Sequence, residues 1–183
     1  WVNKLKFNKL NKFEKPYDNL KKSIKLSTKD WKAFFYKDLF FIERGKGPRK
    51  MEIKNIGKTP VVTSSDQNNG WSHFSNAEPT HKSKTIGVNR IGTVAHAFYQ
   101  PLPFTSSENV HIFTPKFKMN KYLAMFIVTL IKLEKDRFHY GRTWSIPRME
   151  NSIIKLPYDY KKKEINFKFI EKFIKSLKYS ISI

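Results

Sequence analysis

The 183-residue chain contains no cysteine. Disulfide scaffolds, cysteine-ligated zinc and thiol nucleophiles are therefore excluded, and the composition fits a reducing, cytoplasmic setting. No uninterrupted apolar run approaches the ~20 residues needed to cross a bilayer. The longest candidate, around residues 122–133, is broken by Thr129 and Lys132, so a membrane role is not expected. Glycine is scarce, with seven residues, and they form no dinucleotide or methyl-donor fingerprint. No cofactor is expected in this chain. The sequence opens at Trp1 with neither a methionine nor a charged-then-apolar leader, as expected of a piece of a longer protein.

Acidic residues are the other shortage. Against 36 Lys plus Arg there are 15 Asp plus Glu, a formal net charge of +21. Such a surface repels itself unless a polyanion is present, so nucleic acid is the first expected partner and an anionic membrane the second. The abundance of Lys, Asn and Ile also has the look of an AT-rich genome, which inflates the charge of every protein it encodes. With 39% hydrophobic and 15% aromatic residues, the chain has the material for one main core.

Texture divides the chain into three parts. Residues 1–26 are rich in Lys and Asn, with Pro16 among them, and read as an arm or connector. Residues 27–158 read as the principal domain. It opens with capping or turn types, Ser27-Thr28-Lys29-Asp30, and a dense aromatic block from Phe34 to Ile42. Short β-prone runs follow: Thr59 to Thr63, Thr85 to Val88, Thr93 to Tyr99 and Val110 to Phe113. Asn68-Asn69-Gly70, Asn89-Arg90-Ile91-Gly92 and Pro101-Leu102-Pro103 punctuate them. Tyr122, Leu123, Phe126, Ile127, Leu130 and Ile131 then recur at three- and four-residue spacing, which predicts a helix over residues 118–137. In residues 159–183 a second helix is predicted, with an apolar stripe of Phe169, Ile170, Phe173, Ile174, Leu177 and Ile181. No later element follows to cover that stripe, which is expected to bury itself on the N-terminal segment or on another chain. The fold class is mixed α+β: a strand-rich domain with a core helix and a long C-terminal helix.

Three segments carry candidate chemistry. Arg44-Gly45-Lys46-Gly47-Pro48-Arg49-Lys50 combines cations, for counterion release, with glycines that let backbone amides approach phosphates. It lacks the Gly-Lys-Ser/Thr ending of a phosphate-binding loop for nucleotide hydrolysis. Thr63-Ser64-Ser65-Asp66-Gln67-Asn68-Asn69-Gly70 offers carboxamides able to pair with adenine edges and hydroxyls suited to base or phosphate, though Asn69-Gly70 equally suits a plain hairpin turn. Arg137-Phe138-His139-Tyr140-Gly141-Arg142-Thr143-Trp144, with Arg148 beyond, interleaves cations and aromatics. Its aromatics are expected in the core, while Tyr140, Arg142 and Arg148 are candidates for DNA contact, as are Asn89 and Arg90.

Catalytic readings find less. Asp38 with Glu52-Ile53-Lys54 follows the acidic, then Glu-x-Lys order of Mg²⁺-dependent nucleases, which leaves a nuclease as an alternative. A structural RNA-binding protein is another, since the charge suits it equally. Ser64, Ser65, Ser106 and Ser107 lack a nucleophile-elbow context, and His73, His81, His96, His111 and His139 have no metal-ligand spacing.

Trp31-Lys32-Ala33-Phe34 with Leu39-Phe40, and Thr59-Pro60-Val61-Val62-Thr63-Ser64-Ser65 with Asn68-Asn69-Gly70, resemble the opening of target recognition domains in restriction-modification specificity subunits. Gly87-Val88-Asn89 with Gly92, Ala97-Phe98-Tyr99-Gln100, Lys135-Asp136-Arg137-Phe138 with Tyr140-Gly141-Arg142, and Ile154-Lys155-Leu156-Pro157 continue the match in order. The likeness is to type I systems and to type II systems with a separate specificity chain. It implies a non-catalytic domain that inserts loops into the major groove of double-stranded DNA, followed by a conserved helix acting as a ruler. It also implies methyltransferase and nuclease chains as partners, and a second recognition half reading the other part of a split site. Only one domain and one such helix are visible, as in a half-subunit or fragment.

Overall fold

The computed structural model describes residues 23–47, 56–139, 141–178 and 180. Among the described residues, ten strands form three sheets. The central sheet has the order β2 (Phe40–Arg44), β8 (Val110–Pro115), β5 (Thr85–Asn89), β6 (Ala97–Gln100), with every neighbouring pair antiparallel. A smaller sheet has β3 (Thr59–Val62) between β4 (Trp71–Ser75) and the two-residue β7 (Thr105–Ser106). The third pairs β1 (Trp31–Phe35) with β9 (Ile153–Asp159), and β9 with β10 (Glu164–Ile165).

Alternation of side chains along β5 and β8 explains the layering. Ile86, Val88 and Phe113 join the main core, whereas Ile112 and Val110 join Val62 and Phe104 in a second, smaller one. Gly87 lies between Val110 and Val62, where an added Cβ would stand 3.3 Å from Val110 Cγ1. The central sheet is thus covered on both faces, and β5 is buried at every position. Continuous hydrophobic runs, rather than a polar-apolar alternation, follow from that cover.

Helices fill the main core. Helix α1 (Tyr36–Leu39) is a single turn that splits the aromatic block into two strands, and Tyr36 packs edge-on against Phe113 and Trp144. Helix α2 (Lys121–Lys132) is shorter than the periodicity predicts. Asn120 caps it, accepting from the amides of Tyr122 and Leu123 at 3.0 Å, and its last turn tightens into a 3-10 segment, Leu133–Asp136. Orphan amides at a helix start need such an acceptor, which sets the boundary there. The short α3 (Ile146–Asn151) follows, and Trp144, fully buried, donates its Nε1 to Ser152 Oγ at 3.1 Å.

Both Pro60 and Pro157 lie in central strands, a position that proline's missing N–H normally forbids. In each case the sheet is only two strands wide at that residue: β7 pairs with Val61 and Val62, and β10 with Tyr158 and Asp159.

Helix α4 (Phe167–Ser176) departs from expectation. Within the described residues it spans ten positions, and its stripe is covered in part. Ile170 and Ile174 are buried in the main core, Phe173 meets Phe126 of α2 edge-on at 6.1 Å, and Phe167 stacks on Phe117 at 4.7 Å. Phe169 is partly buried against Phe173, and Leu177 is exposed. The cover is the outer side of α2, a surface whose partner periodicity alone does not name. Within the described residues, Ile170 and Ile174 thus share the core built by residues 36–156. The lysine-rich link before α4 is an ordered turn: Asp159 Oδ1 accepts from the amides of Lys161 and Lys162, and Asn166 caps the helix through Phe169.

Truncating Ile170 to Ala should lower the unfolding free energy by about 2–5 kcal/mol, the cost of a core cavity, whereas Leu177→Ala should change it by about 0.5 kcal/mol or less. Equal effects in a denaturant titration would contradict this placement of the helix.

Candidate nucleic-acid interface

Strand directions bring the polar segments to one end of the molecule. Strand β2 ends at Arg44 opposite His111, β5 ends at Asn89 opposite Val110, and β3 ends at Val62 opposite Ser106. The β3–β4 loop (residues 63–70), the β5–β6 loop (90–96), the β7–β8 turn (107–109) and the segment leaving β2 consequently meet. Hydrogen bonds tie them together. Ser107 N donates to Val62 O, Gly45 N to Val110 O and Arg90 N to Asn109 O, at 2.9, 2.7 and 2.9 Å.

The cations at this end are held in place. Arg44, exposed, donates through Nε to the carbonyl of Glu108 at 3.1 Å and faces its carboxylate at 3.4 Å. Lys46 Nζ lies 3.0 Å from Glu43 Oε2, and Arg90 donates through Nη2 to Asn109 Oδ1 at 3.0 Å. The two ion pairs, Arg44–Glu108 and Lys46–Glu43, are solvent-exposed and weak, so those cations can exchange a carboxylate for a phosphate at little cost.

The glycines of the basic segment serve packing rather than a bare amide cradle. A Cβ on Gly45 would fall 2.3 Å from Ser106 Oγ, and one on Gly47 would fall 2.4 Å from Ser106 O. The Lys46 amide is already engaged, donating to His81 Nε2 at 3.0 Å, while Thr80 Oγ1 bonds the Lys46 carbonyl. With Nε2 accepting, the His81 proton sits on Nδ1, 3.5 Å from Glu43 Oε1. Burial lowers the His81 pKa despite that carboxylate.

His111 is the second buried ring beneath the cationic strand. At 3% exposure its nitrogens make no hydrogen bond of good geometry, although the backbone of Glu43 bears on the ring, and Ser106 Oγ, Ser107 Oγ and Arg90 Nε are likewise buried without a partner. Burial, reinforced by the Arg90 and Arg44 charges, pushes its pKa down to about 4. Both rings are neutral at pH 7.

Candidate residues of the β3–β4 loop fall into two groups. Asp66, Gln67 and Asn68 are exposed at its tip, with Thr63, Ser64 and Ser65 half-buried below. Asn69 turns inward, donating through Nδ2 to Tyr99 O at 3.0 Å. Asn89, expected to contact DNA, is instead 1% exposed: its carboxamide donates to Ser65 O and Thr93 Oγ1 at 2.8 and 2.9 Å, behind the loop. A buried amide must find such partners, which takes it out of reach of an external base.

Arg142 and Arg148 belong elsewhere. Arg142 lies over the Phe138 ring at 5.8 Å, Arg148 donates to Thr143 O at 2.9 Å, and neither hydrogen-bonds to the loop cluster. Phe138 and Trp144 stack in the core, as their apolar character requires. Arg49, Lys50 and Tyr140 lie outside the described residues, as do Glu52 and Lys54 of the nuclease alternative. Asp38 is engaged at the start of α1, accepting from the Phe35 amide at 3.3 Å. Among the described residues no group of three or more His, Asp or Glu is arranged to hold a metal ion, and no helix is long and apolar enough to cross a membrane.

Sequence reasoning missed Glu43, Glu108 and Asn109 as parts of this end, and Gln100, opposite Thr85 at the other end of β5, as a partner of the β3–β4 loop. Gln100 closes an otherwise aromatic strand, Ala97-Phe98-Tyr99-Gln100, and a lone amide there was the available signal.

Comparison with known proteins decides the family. The model for the type I restriction modification DNA specificity domain matches residues 28–182. The chain belongs to that family. Among curated proteins, the type II restriction enzyme BgcI specificity subunit S.BcgI of Heyndrickxia coagulans is 30% identical over 129 residues, 69% of this chain and 38% of that protein. This DNA specificity domain also shares its fold with the S subunit of a type I restriction-modification system from M. genitalium, at TM-score 0.63 and 16% identity, over 84% of this chain and 40% of that one. HsdS from Thermoanaerobacter tengcongensis gives TM-score 0.58 and 10% identity, over 87% and 40%. The specificity domain thus spans about two fifths of the length of each of these relatives.

Neutral His111 carries a pH signature. Its folded pKa is depressed below the unfolded value, so between pH 6.5 and about 4 the unfolded chain binds the extra proton. Stability should fall across that window as pH drops, by at most about 1.4 kcal/mol per pH unit for this group. His81 acts in the same direction, while Glu134, whose pKa burial raises, opposes it at the acidic end. In urea titrations His111→Gln should flatten the slope; an unchanged slope would mean the ring is not buried neutral.

Proposed function

We propose that this domain recognises a short sequence in double-stranded DNA as the non-catalytic specificity module of a restriction-modification system. The observation that carries the reading is the convergence, at one end of the sheets, of exposed Arg44 and Lys46 with a loop whose Asp66, Gln67 and Asn68 side chains are free. Cations grip phosphates and fix orientation, and amides or carboxylates read base edges. Membership of the specificity-domain family and the +21 charge support the same partner. Arg90, Thr63, Ser64 and Ser65 flank that surface, and Arg142 and Arg148 extend the cationic surface if the duplex reaches them.

In this reading the domain acts in the cytoplasm without a cofactor of its own, reads one half of a split site, and is completed by a second specificity half. Methyltransferase and restriction chains act on the DNA that it selects. The exposed face of α4, with Phe169 and Leu177, is the part of the helix still open to a second half, since Ile170, Ile174 and Phe173 pack within this chain.

Selection from a random duplex library, by the chain alone and with its methyltransferase partner, should enrich one short motif, bound ~10³-fold or more above bulk DNA. Absence of any motif, or preference for structured RNA at equal salt, would overturn the reading. Lys46→Ala should weaken binding to all sequences alike and lower the slope of log affinity against log salt by roughly one. A loss confined to particular sequences would show that Lys46 does not act as a phosphate contact.

A further inference from the structure

The backbone of the β3–β4 loop turns through three consecutive left-handed residues of types that accept that conformation. Asn68, Asn69 and Gly70 have φ of 50°, 56° and 75°, a run of left-handed residues. Asn and Gly adopt that region at little cost, so contacts with the body of the domain, rather than strain, fix where the loop sits. Those contacts come from buried carboxamides. Gln100, 1% exposed, donates through Nε2 to Asn69 O at 3.1 Å and accepts from Trp71 Nε1 through Oε1 at 2.7 Å. Asn89 binds Ser65 O at 2.8 Å on the other side of the loop, and Asn69 Nδ2 returns a bond to Tyr99 O. The anchors at Ser65 and Asn69 bracket residues 66–68. Within the bracket Ser65 Oγ accepts from Gln67 N at 3.1 Å, and Gly70 N donates to Gln67 O at 2.8 Å.

Resting on the DNA-recognition reading, we infer that Gln100 and Asn89 are positioning residues that preset this loop, so that the Gln67 and Asn68 carboxamides read adenine edges in the half-site. A carboxamide presents one donor face and one acceptor, the match for adenine N7 and N6–H₂. Guanine presents two acceptors, O6 and N7, and calls for a cation. No Lys or Arg occurs in residues 63–70, and the neighbouring Arg44 and Arg90 stand outside the loop, at the end of β2 and at the start of the β5–β6 loop. Donor-and-acceptor chemistry is therefore what the tip offers.

The test is library selection with the full chain, repeated for Gln67→Ala, Asn68→Ala and Gln100→Leu. Wild type should select a motif containing adenine. Gln67→Ala and Asn68→Ala should each relax one adenine position, by about tenfold in preference, with the salt slope unchanged. Gln100→Leu should relax those same positions although it touches no base, again with the slope unchanged, a result that loss of folded protein would not give because that lowers binding to all duplexes. Should Gln100→Leu fail to fold, Trp71→Phe removes one bond to Gln100 and should weaken the same positions in part. A motif lacking adenine, or adenine preference intact in both tip variants, overturns the inference and leaves sequence recognition standing. No motif from wild type overturns recognition itself.

Discussion

A strand covered on both faces can place polar side chains only near its ends, and the β5–β8 pair at the centre of this molecule is covered on both faces. Helix α2 lies against one side and the β3 sheet against the other. That constraint gathers the loops after β2, β3 and β5 with the turn before β8: antiparallel pairing aligns the ends of β2 and β5 with the start of β8, and parallel pairing aligns the ends of β3 and β7. What looks in the chain like scattered basic and amide-rich segments becomes one surface. Burial of apolar area supplies the energy, and hydrogen-bond satisfaction of the strand ends supplies the direction.

The same surface is built from polar groups of two kinds, and the distinction is physical. Groups pulled into the interior, Asn89, Gln100, His81 and His111, are neutral and mostly bonded to backbone. Those left outside, Arg44, Lys46, Asp66, Gln67 and Asn68, keep their charge or their free amide. Desolvation explains the sorting: the buried His111 ring, under the charges of Arg90 and Arg44, is held uncharged. Exposed Glu43 and Glu108 temper the field of the cations beside them, and the buried carboxamides give the β3–β4 loop a defined shape before any ligand arrives. Pre-set geometry lowers the ordering cost of binding.

Much of the fold was legible from patterns with a local cause. Runs beginning at Thr59, Thr85 and Val110 are strands because β-branched and aromatic residues suit a pleated surface, and Tyr122 to Ile131 is a helix because its apolar residues recur on one face. Strand β4 and helix α3 left weaker traces. Trp71 to Ser75 alternates around polar Ser72 and His73, and α3 is only six residues long. The stripe of α4 was legible but its cover was not: Ile170, Phe173 and Ile174 pack within this chain, Leu177 stays exposed, and Ile181 lies outside the described residues. Its residues do form an apolar face, but a periodic pattern states that a face needs cover without stating which surface provides it.

By itself the sequence determined the chemistry on offer: a cationic, cysteine-free chain, carboxamides and hydroxyls flanking a Gly70 turn, and an ordered set of segments similar to those of the specificity domains. Only the tertiary structure decided which of these groups face outward. Asn68 and Asn89 are the same residue type in similar turn-like contexts, yet one is exposed and the other is 1% exposed and bonded to Ser65. That difference arises from contacts between segments about twenty residues apart, across a layer that no local pattern encodes. Side-chain identity is a property of the chain, whereas solvent access and hydrogen-bond partnership are properties of the packing.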